Sequence, residues 1–391
     1  MESPYQLCTN CVMDTSADDI TFNELGVCNF CTQFSESSQL RIDQDPIIKQ
    51  GKLDEFVKKV KFEGKGKRYD CIIGVSGGVD SSWGLVQAVN LGLRPLAVHM
   101  DNGWNSELAQ NNIANLVREL GVDLYTYVID WHEYRNLMEA FFEADVIDVE
   151  LLYDNAMFSV NYRQAAKFGV KYILSGMNHA SEGMSIPTQW NWHKFDKKNI
   201  VEIGKIYGKL KLKTFPSMGT LNFIHFKYFK QIQWIAFLDY FDYNKFSAMQ
   251  YLQNNYNYKP YPYKHYESVF TRFYQGFLLP QKFGVDKRRV HLATLVANGQ
   301  LKREKALLDL RGLPYPSVEE LELDKQYFLK KMQWNADKLQ SYISRPGKPH
   351  NIYPSEKPLW DFIFISKDGR YFYNNFKHIF KALRSVIRKI R

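Results

Sequence analysis

The stretch Asp70–Ser82, read DCIIGVSGGVDSS, constrains this chain more than any other. Asp70-Cys71-Ile72-Ile73-Gly74-Val75 is a short apolar run and predicts a buried strand. Ser76 to Ser82 follows it directly, and a helical stretch then runs to Asn90. A strand that turns into a helix through two glycines has a specific use. Gly77 and Gly78 allow the backbone to approach a ligand closely. The helix N-terminus behind them offers unpaired N–H groups and a positive dipole end to an anion. The backbone from Ser76 through Val79, with the hydroxyls of Ser76, Ser81 and Ser82, therefore reads as a phosphate cradle. No lysine follows the glycines, which excludes a Walker-type loop. Asp80 would repel phosphate unless a Mg²⁺ lay between them, so the cradle also implies Mg²⁺.

The surrounding pattern alternates strand and helix. Strands are predicted at Leu96–Met100, Leu124–Ile129 and Lys171–Ser175. Helices are predicted at Asn105–Leu120, opened by the capping arrangement Asn-Ser-Glu, and at 156–168. This implies an α/β fold with a parallel sheet covered on both faces. A lysine-rich helix carrying Leu53, Phe56 and Val57 precedes it. Beyond Ile186 aromatics become dense. The Tyr/Asn-rich tract Tyr251–Tyr266 reads as irregular, and 285–310 as helical. The C-terminal Ile379–Arg391 sets Ile379, Phe380, Leu383, Val386, Ile387 and Ile390 against a basic face. Such a stripe packs on its own domain or touches anionic lipid. The expected organisation is an N-terminal module over 1–45, a nucleotide domain over 46–210, and a mainly helical region over 211–391 that completes the site.

Five cysteines in 391 residues are too few for a disulfide framework, yet four lie within the first 31. Cys8, Cys11, Cys28 and Cys31 form two CxxC pairs at the spacing of a tetrahedral zinc site. Unrelated CxxC turns or an iron–sulfur centre are the alternatives. Four thiolates leave no open position, so a zinc held there is structural. Lys+Arg 51 against Asp+Glu 42 leaves a net charge of +9, which favours anionic partners without choosing among them. No apolar run approaches the roughly 20 residues of a membrane span. The N-terminus lacks a basic-then-apolar signal, so a cytoplasmic location is expected.

The strand–SGGVDSS–helix arrangement resembles the PP-loop ATP pyrophosphatases, which cleave ATP to AMP and pyrophosphate while adenylating a carbonyl or amide oxygen. More of the chain resembles the N-acetyl sugar amidotransferases of bacterial surface-polysaccharide synthesis, the WbpG/PseA-like family. The matching segments are Cys8-Thr-Asn-Cys-Val-Met-Asp-Thr15 with the second CxxC, Ser76–Ser82, His99-Met-Asp-Asn-Gly-Trp-Asn105, Gly176–Glu182, Lys209–Pro216 and Phe283-Gly-Val-Asp-Lys-Arg-Arg-Val-His291. The resemblance implies that backbone from Val98 to Met100 binds adenine and that Gly176 and Glu182 lie at the reactive end of ATP. It also implies that an acetamido group of a nucleotide-linked sugar becomes an acetamidino group, in O-antigen assembly. Glu182 reads as a Mg²⁺ ligand or substrate-orienting group, or as a solvated glutamate. Lys287 or Arg288 would neutralise the departing pyrophosphate, or belong to a basic surface. Lys194 and Asp196 are weaker candidates for substrate contact, His179 and His225 read as structural or surface residues, and Trp104 as a stacking platform or a core residue.

A glutaminase needs a free cysteine nucleophile. Four cysteines are assigned to zinc and Cys71 falls mid-strand, so ammonia is expected from elsewhere. The resemblance implies a separate glutaminase with a barrel subunit like imidazole glycerol phosphate synthase. Two other readings stand beside this one: a tRNA-modifying PP-loop enzyme, which the net charge and zinc module would suit although sulfur-carrying cysteines are missing, and a zinc-ribbon adaptor with a degenerate nucleotide fold.

Overall fold

The computed structural model describes residues 4–261 and 266–366. The C-terminal stripe Ile379–Arg391 lies outside the described residues. Five parallel strands form one sheet: β1 (Cys71–Gly74), β2 (Pro95–Asp101), β3 (Asp123–Val128), β4 (Tyr172–Ser175) and β5 (Gln233–Ala236), in the order β3-β2-β1-β4-β5.

Side chains alternate across each strand, and the sheet uses both faces. Cys71, Ile73, Tyr172 and Leu174 face one core together with Leu53, Phe56, Val57 and Val60 of helix α1 (Pro46–Gly64) and Leu85 and Val86 of helix α2 (Val79–Asn90). Ile72, Val98, Met100 and Ile173 face the other core. There they meet Ala156 and Val160 of the long helix Leu151–Phe168 and Phe141 and Phe142 of the helix Trp131–Glu143. That second core continues without a break into Phe270, Phe273, Phe328, Trp334 and Tyr342, so the C-terminal region shares it.

Local signals place most elements. Ser106 caps the helix Glu107–Leu120 by accepting from Ala109 N, and Gly121 closes it in the left-handed conformation. Three expectations need correction. The sheet is completed only by β5, so a boundary at 210 cuts it; β5 is a short half-buried edge strand among aromatics and carries no clear alternation. The Tyr251–Tyr266 tract begins as helix, because Asn244 caps a helix spanning Lys245–Tyr256. The 285–310 segment is two helices, Arg288–Ala297 and Arg303–Leu310, broken after Asn298 where Gly299 takes a positive φ.

Among the described residues no helix is long and apolar enough to cross a membrane.

Candidate nucleotide site and cysteine cluster

Strand order reverses direction between β1 and β4, and ligands of such sheets lie beyond the strand ends at that point. The loops leaving these two strands are Ser76–Gly78 and Gly176–Asn178. Gly77 sits at φ +84°, where a Cβ would stand 2.8 Å from the Ala109 carbonyl oxygen. A Cβ on Gly176 would come within 2.6 Å of Ser81 N, so only glycine lets the β4 loop close on the first turn of α2. Gly78 is the N-cap of α2, and the first helical bond runs from Ser82 N to Gly78 O at 3.1 Å. The amides of the first turn therefore stand outside the helical ladder. The serines shape the loop as well as line it: Ser76 N donates to Ser81 Oγ (3.2 Å), Gly78 N to Ser76 Oγ (3.3 Å), and Ser81 Oγ to Gly78 O (3.2 Å).

A cavity of about 390 Å³ opens here, within the roughly 300–1,000 Å³ range of ligand clefts. Its walls include Ser76, Gly78, Val79, Asp80, Ser81, Val98, Met100, Gly176 and Glu182. Gly77 and Ser82 shape the loop from behind; Ser82 is buried. Two orphaned polar atoms also face a lining position. Asn161 Oδ1 and Trp234 Nε1 are buried without a hydrogen-bond partner among the described residues, and both residues line the cavity. Asn161 and, from β5, Trp234 give the wall polar residues, and Val98, Met100, Met157 and Met249 give it apolar ones. The cavity has the size and mixed lining that a nucleotide needs.

His99 ties the cradle to β2. Its Nδ1 lies 2.9 Å from Val75 O, which can only accept, so Nδ1 carries the proton; Nε2 then accepts from Asn105 Nδ2 at 2.9 Å. Asp80 accepts from the Tyr243 hydroxyl. Burial, reinforced by the Asp80 charge, pushes the Tyr243 phenol far above its ordinary range, so it stays a donor. Glu182 acts on the same phenol through space. Two carboxylates beside a phosphate cradle are the oxygen ligands that Mg²⁺ takes.

Lys287 and Arg288 do not reach this cavity. Lys287 Nζ binds Glu150 Oε2 at 2.7 Å and is nearly buried. Arg288 is consumed by Asp286 and by the carbonyls of Asp309, Leu310 and Gly312. Among the described residues the cation on the cavity wall is Lys245, at the start of the helix Lys245–Tyr256. Glu267 is a third carboxylate there, its Oε1 3.8 Å from where a Gly78 Cβ would be, and Tyr261 donates to Gly77 O at 3.1 Å. None of these three carried a sequence signal, because each comes from a distant segment folded back over the loop. Lys194 is held by Asp148 and Asp154, and fully buried Asp196 caps a helix and accepts from Trp192 Nε1 at 2.9 Å. Trp104 is fully buried against Trp131, Phe270 and Phe328, which makes it core. His179 stacks on Phe34 and bonds Ser37; His225 is exposed beside Phe229.

The four N-terminal sulfurs converge. Cys8, Cys11, Cys28 and Cys31 are buried, with all Sγ atoms within 4.8 Å of one another. Cys8–Cys31 and Cys11–Cys28 sulfurs are 3.9 and 3.8 Å apart. A tetrahedron of Zn–S bonds about 2.3 Å long has edges of about 3.8 Å, so the cluster could hold zinc. Amides of Asn10, Cys11 and Cys28 point at Cys8 Sγ and that of Met13 at Cys11 Sγ, an arrangement that favours thiolates. The module is bolted to the far end of the chain. Arg303 donates to Cys11 O (2.9 Å) and Cys8 O (2.7 Å), and Arg289 pairs with buried Asp14 at 2.8 Å.

Residues 267–366 match the family described as LPS biosynthesis protein WbpG-like, C-terminal domain. No curated protein matches the chain. Among solved structures the chain is similar to NMN synthetase from Francisella tularensis, at 16% identity over 56% of this chain and 99% of that one, with a TM-score of 0.29. It is also similar to an NH₃-dependent NAD synthetase from Campylobacter jejuni in complex with nitrate, at 14% identity over 74% and 95%, with a TM-score of 0.31. A predicted subunit of tRNA methyltransferase from Methanocaldococcus jannaschii gives 14% identity over 42% and 67%, with a TM-score of 0.25. Scores this low add no weight beside the sheet order itself.

Proposed function

We propose that this chain, which groups with the WbpG-like proteins by its C-terminal domain, is an ATP-dependent amidotransferase that converts an acetamido group of a nucleotide-linked sugar to an acetamidino group. The observation that carries this reading is the cavity at the sheet's switch point, where the lysine-free SGGVDSS loop, the end of β2 and the Gly176–Glu182 turn meet in one space.

An amide oxygen is a poor leaving group. In the proposed reaction it attacks the α-phosphorus of ATP and pyrophosphate departs. Ammonia then adds to the imidate carbon, and AMP leaves carrying the former amide oxygen, with loss of a proton. The amides at the start of α2, with the hydroxyls of Ser76 and Ser81, would hold the phosphates and take up charge as pyrophosphate forms. Mg²⁺, where bound by Asp80 and Glu182, would supply further charge neutralisation to the phosphates. Lys245 stands on the same wall for that purpose, in the role the sequence suggested for Lys287 or Arg288. Tyr243 keeps Asp80 oriented. The proposed zinc in the cysteine cluster has no part in the chemistry.

The ammonia source is proposed to be a separate glutaminase working through a barrel subunit. Supporting this, Cys71 is fully buried in β1, and burial pushes its thiol up, away from the reactive thiolate. A cytoplasmic setting and a place in surface-polysaccharide assembly belong to the same proposal.

The experiment uses an acetamido nucleotide sugar labelled with ¹⁸O in the amide, with ATP, Mg²⁺ and ammonium salts. The expected products are pyrophosphate, AMP bearing the label, and a sugar amidine that, compared as neutral molecules, is about three mass units lighter than the labelled starting sugar and carries a new basic group that takes up a proton. ADP among the products, or label that stays in the sugar, overturns the proposal.

A further inference from the structure

A second cavity, of about 660 Å³, adjoins the first. Lys245 and Phe246 line both, and the turn that gives Glu182 to the first gives the neighbouring Ser181 to the second. Apart from these three residues its walls come from residues 266–316, almost all of them within the WbpG-like domain.

Three features of this space point to a ligand. The Ser181 side chain is buried, the residue being 3% exposed, yet its Oγ has no hydrogen-bond partner among the described residues. A buried hydroxyl without a partner is costly, and a bound polar group would remove that cost. Arg272 is pre-set to read an anion. Buried Asp324 holds it through Nε and Nη2, and the Tyr266 ring lies 5.3 Å from its guanidinium carbon, which leaves Nη1 without a hydrogen bond among the described residues. Lys305 adds a second cation, paired among the described residues with Asp309 alone, at 2.7 Å, in an exposed i,i+4 contact that an incoming phosphate can displace. Between these polar ends stand Leu292, Leu295 and the half-exposed ring of Phe246, panels against which a sugar or base can lie. Arg288 lines this cavity too, but its hydrogen bonds go to Asp286 and to the carbonyls of Asp309, Leu310 and Gly312, so it builds the wall and does not read the ligand.

We infer that this second cavity is the acceptor chamber: it takes a phosphate-bearing sugar, with Arg272 and Lys305 on the phosphate and Ser181 on the sugar, and presents the reacting carbonyl-type oxygen across the Lys245–Phe246 border to the nucleotide in the first cavity. The inference rests on the proposed reaction for its meaning but not for its test.

The test is isothermal titration of the full chain with UDP-N-acetylglucosamine, before and after saturation with α,β-methylene-ATP. The expected result is that both bind at once. Ser181→Ala weakens the sugar nucleotide about three- to tenfold, the loss of one hydrogen bond, with no fall in melting temperature because an unsatisfied hydroxyl has been removed. Leu292→Trp, which fills the chamber, and Lys305→Glu, a surface change, each weaken it at least tenfold and leave the ATP analogue within twofold. Competition between the two ligands, absence of sugar-nucleotide binding, or indifference to all three variants overturns the inference. Failure of the ATP analogue to bind overturns the proposed function instead, and leaves the response of the sugar nucleotide to the variants as a separate reading of the chamber.

Discussion

At the scale of single residues, the cradle depends on what one atom more would do. A methyl group on Gly77 or Gly176 would collide with backbone, and backbone cannot rotate aside. Asp80 is the most consequential side chain, since it alone among the loop residues carries charge and is held from behind by a phenol. Asp80→Asn is expected to cut AMP release by roughly 10²–10³-fold, the usual scale for losing an electrostatic group aimed at a transition state. Tyr243→Phe keeps the fold and the carboxylate but frees its orientation, and is expected to cost about tenfold in the same assay, one hydrogen bond's worth. Equal effects of the two changes would contradict the assigned order of importance. The loop itself was readable in the sequence because all its parts lie within seven consecutive residues. Lys245 and Glu267 were not, because no local pattern relates residues some 160 to 190 positions away to a helix N-terminus.

At the scale of elements, the cysteine module acts as a clamp. Its spacing announced the convergence of four thiols, and the structure adds its mechanical role: Arg303 and Arg289 reach from two C-terminal helices to the backbone and Asp14 of the knuckle. Elemental analysis is expected to find one zinc per chain. Chelation is expected to lower the melting temperature of the whole chain, because the metal, the knuckle and these helices form one body. Arg303→Ala should lose about 2 kcal/mol of stability while retaining zinc, since it removes two charge-assisted hydrogen bonds and no ligand. A Cys8→Ser chain that kept full zinc and normal melting would remove the clamp from consideration. The edge strand β5 teaches the opposite lesson about legibility. Gln233–Ala236 carries too few residues for a period-two signal, and its pairing with β4 follows from where the preceding chain returns to the sheet.

Across the whole molecule, the segment near residue 350 is anchored by a buried histidine. His350 Nδ1 donates to Asn199 Oδ1 at 2.8 Å, and Nε2 accepts from Asp148 N at 3.2 Å, so the ring is neutral in the fold. Burial lowers its pKa from 6.5 to about 4, and burial does the same to His193. The folded state therefore binds fewer protons than the unfolded chain between these values. Stability is complete above pH 6.5 and falls as pH drops toward 4, by an amount on the order of 3 kcal/mol for His350. Denaturant unfolding at pH 7 and pH 4.5 is expected to show this loss, and His350→Gln to reduce it. A pH-independent midpoint would refute the buried neutral ring.

The sequence by itself determined the Ser76–Ser82 loop between strand and helix, the cysteine cluster and the alternating α/β order, because each is written in contiguous or regularly spaced residues whose chemistry acts locally. Tertiary structure alone decided that Lys245, and not Lys287 or Arg288, lines the cavity at the switch point, that Trp104 is core, that β5 completes the sheet, and that a second chamber opens beside the first. Those outcomes depend on which distant segments pack together. Position in the fold then assigns otherwise similar side chains to different places, as with Lys287, held against Glu150 away from the cavity, and Lys245, on the cavity wall.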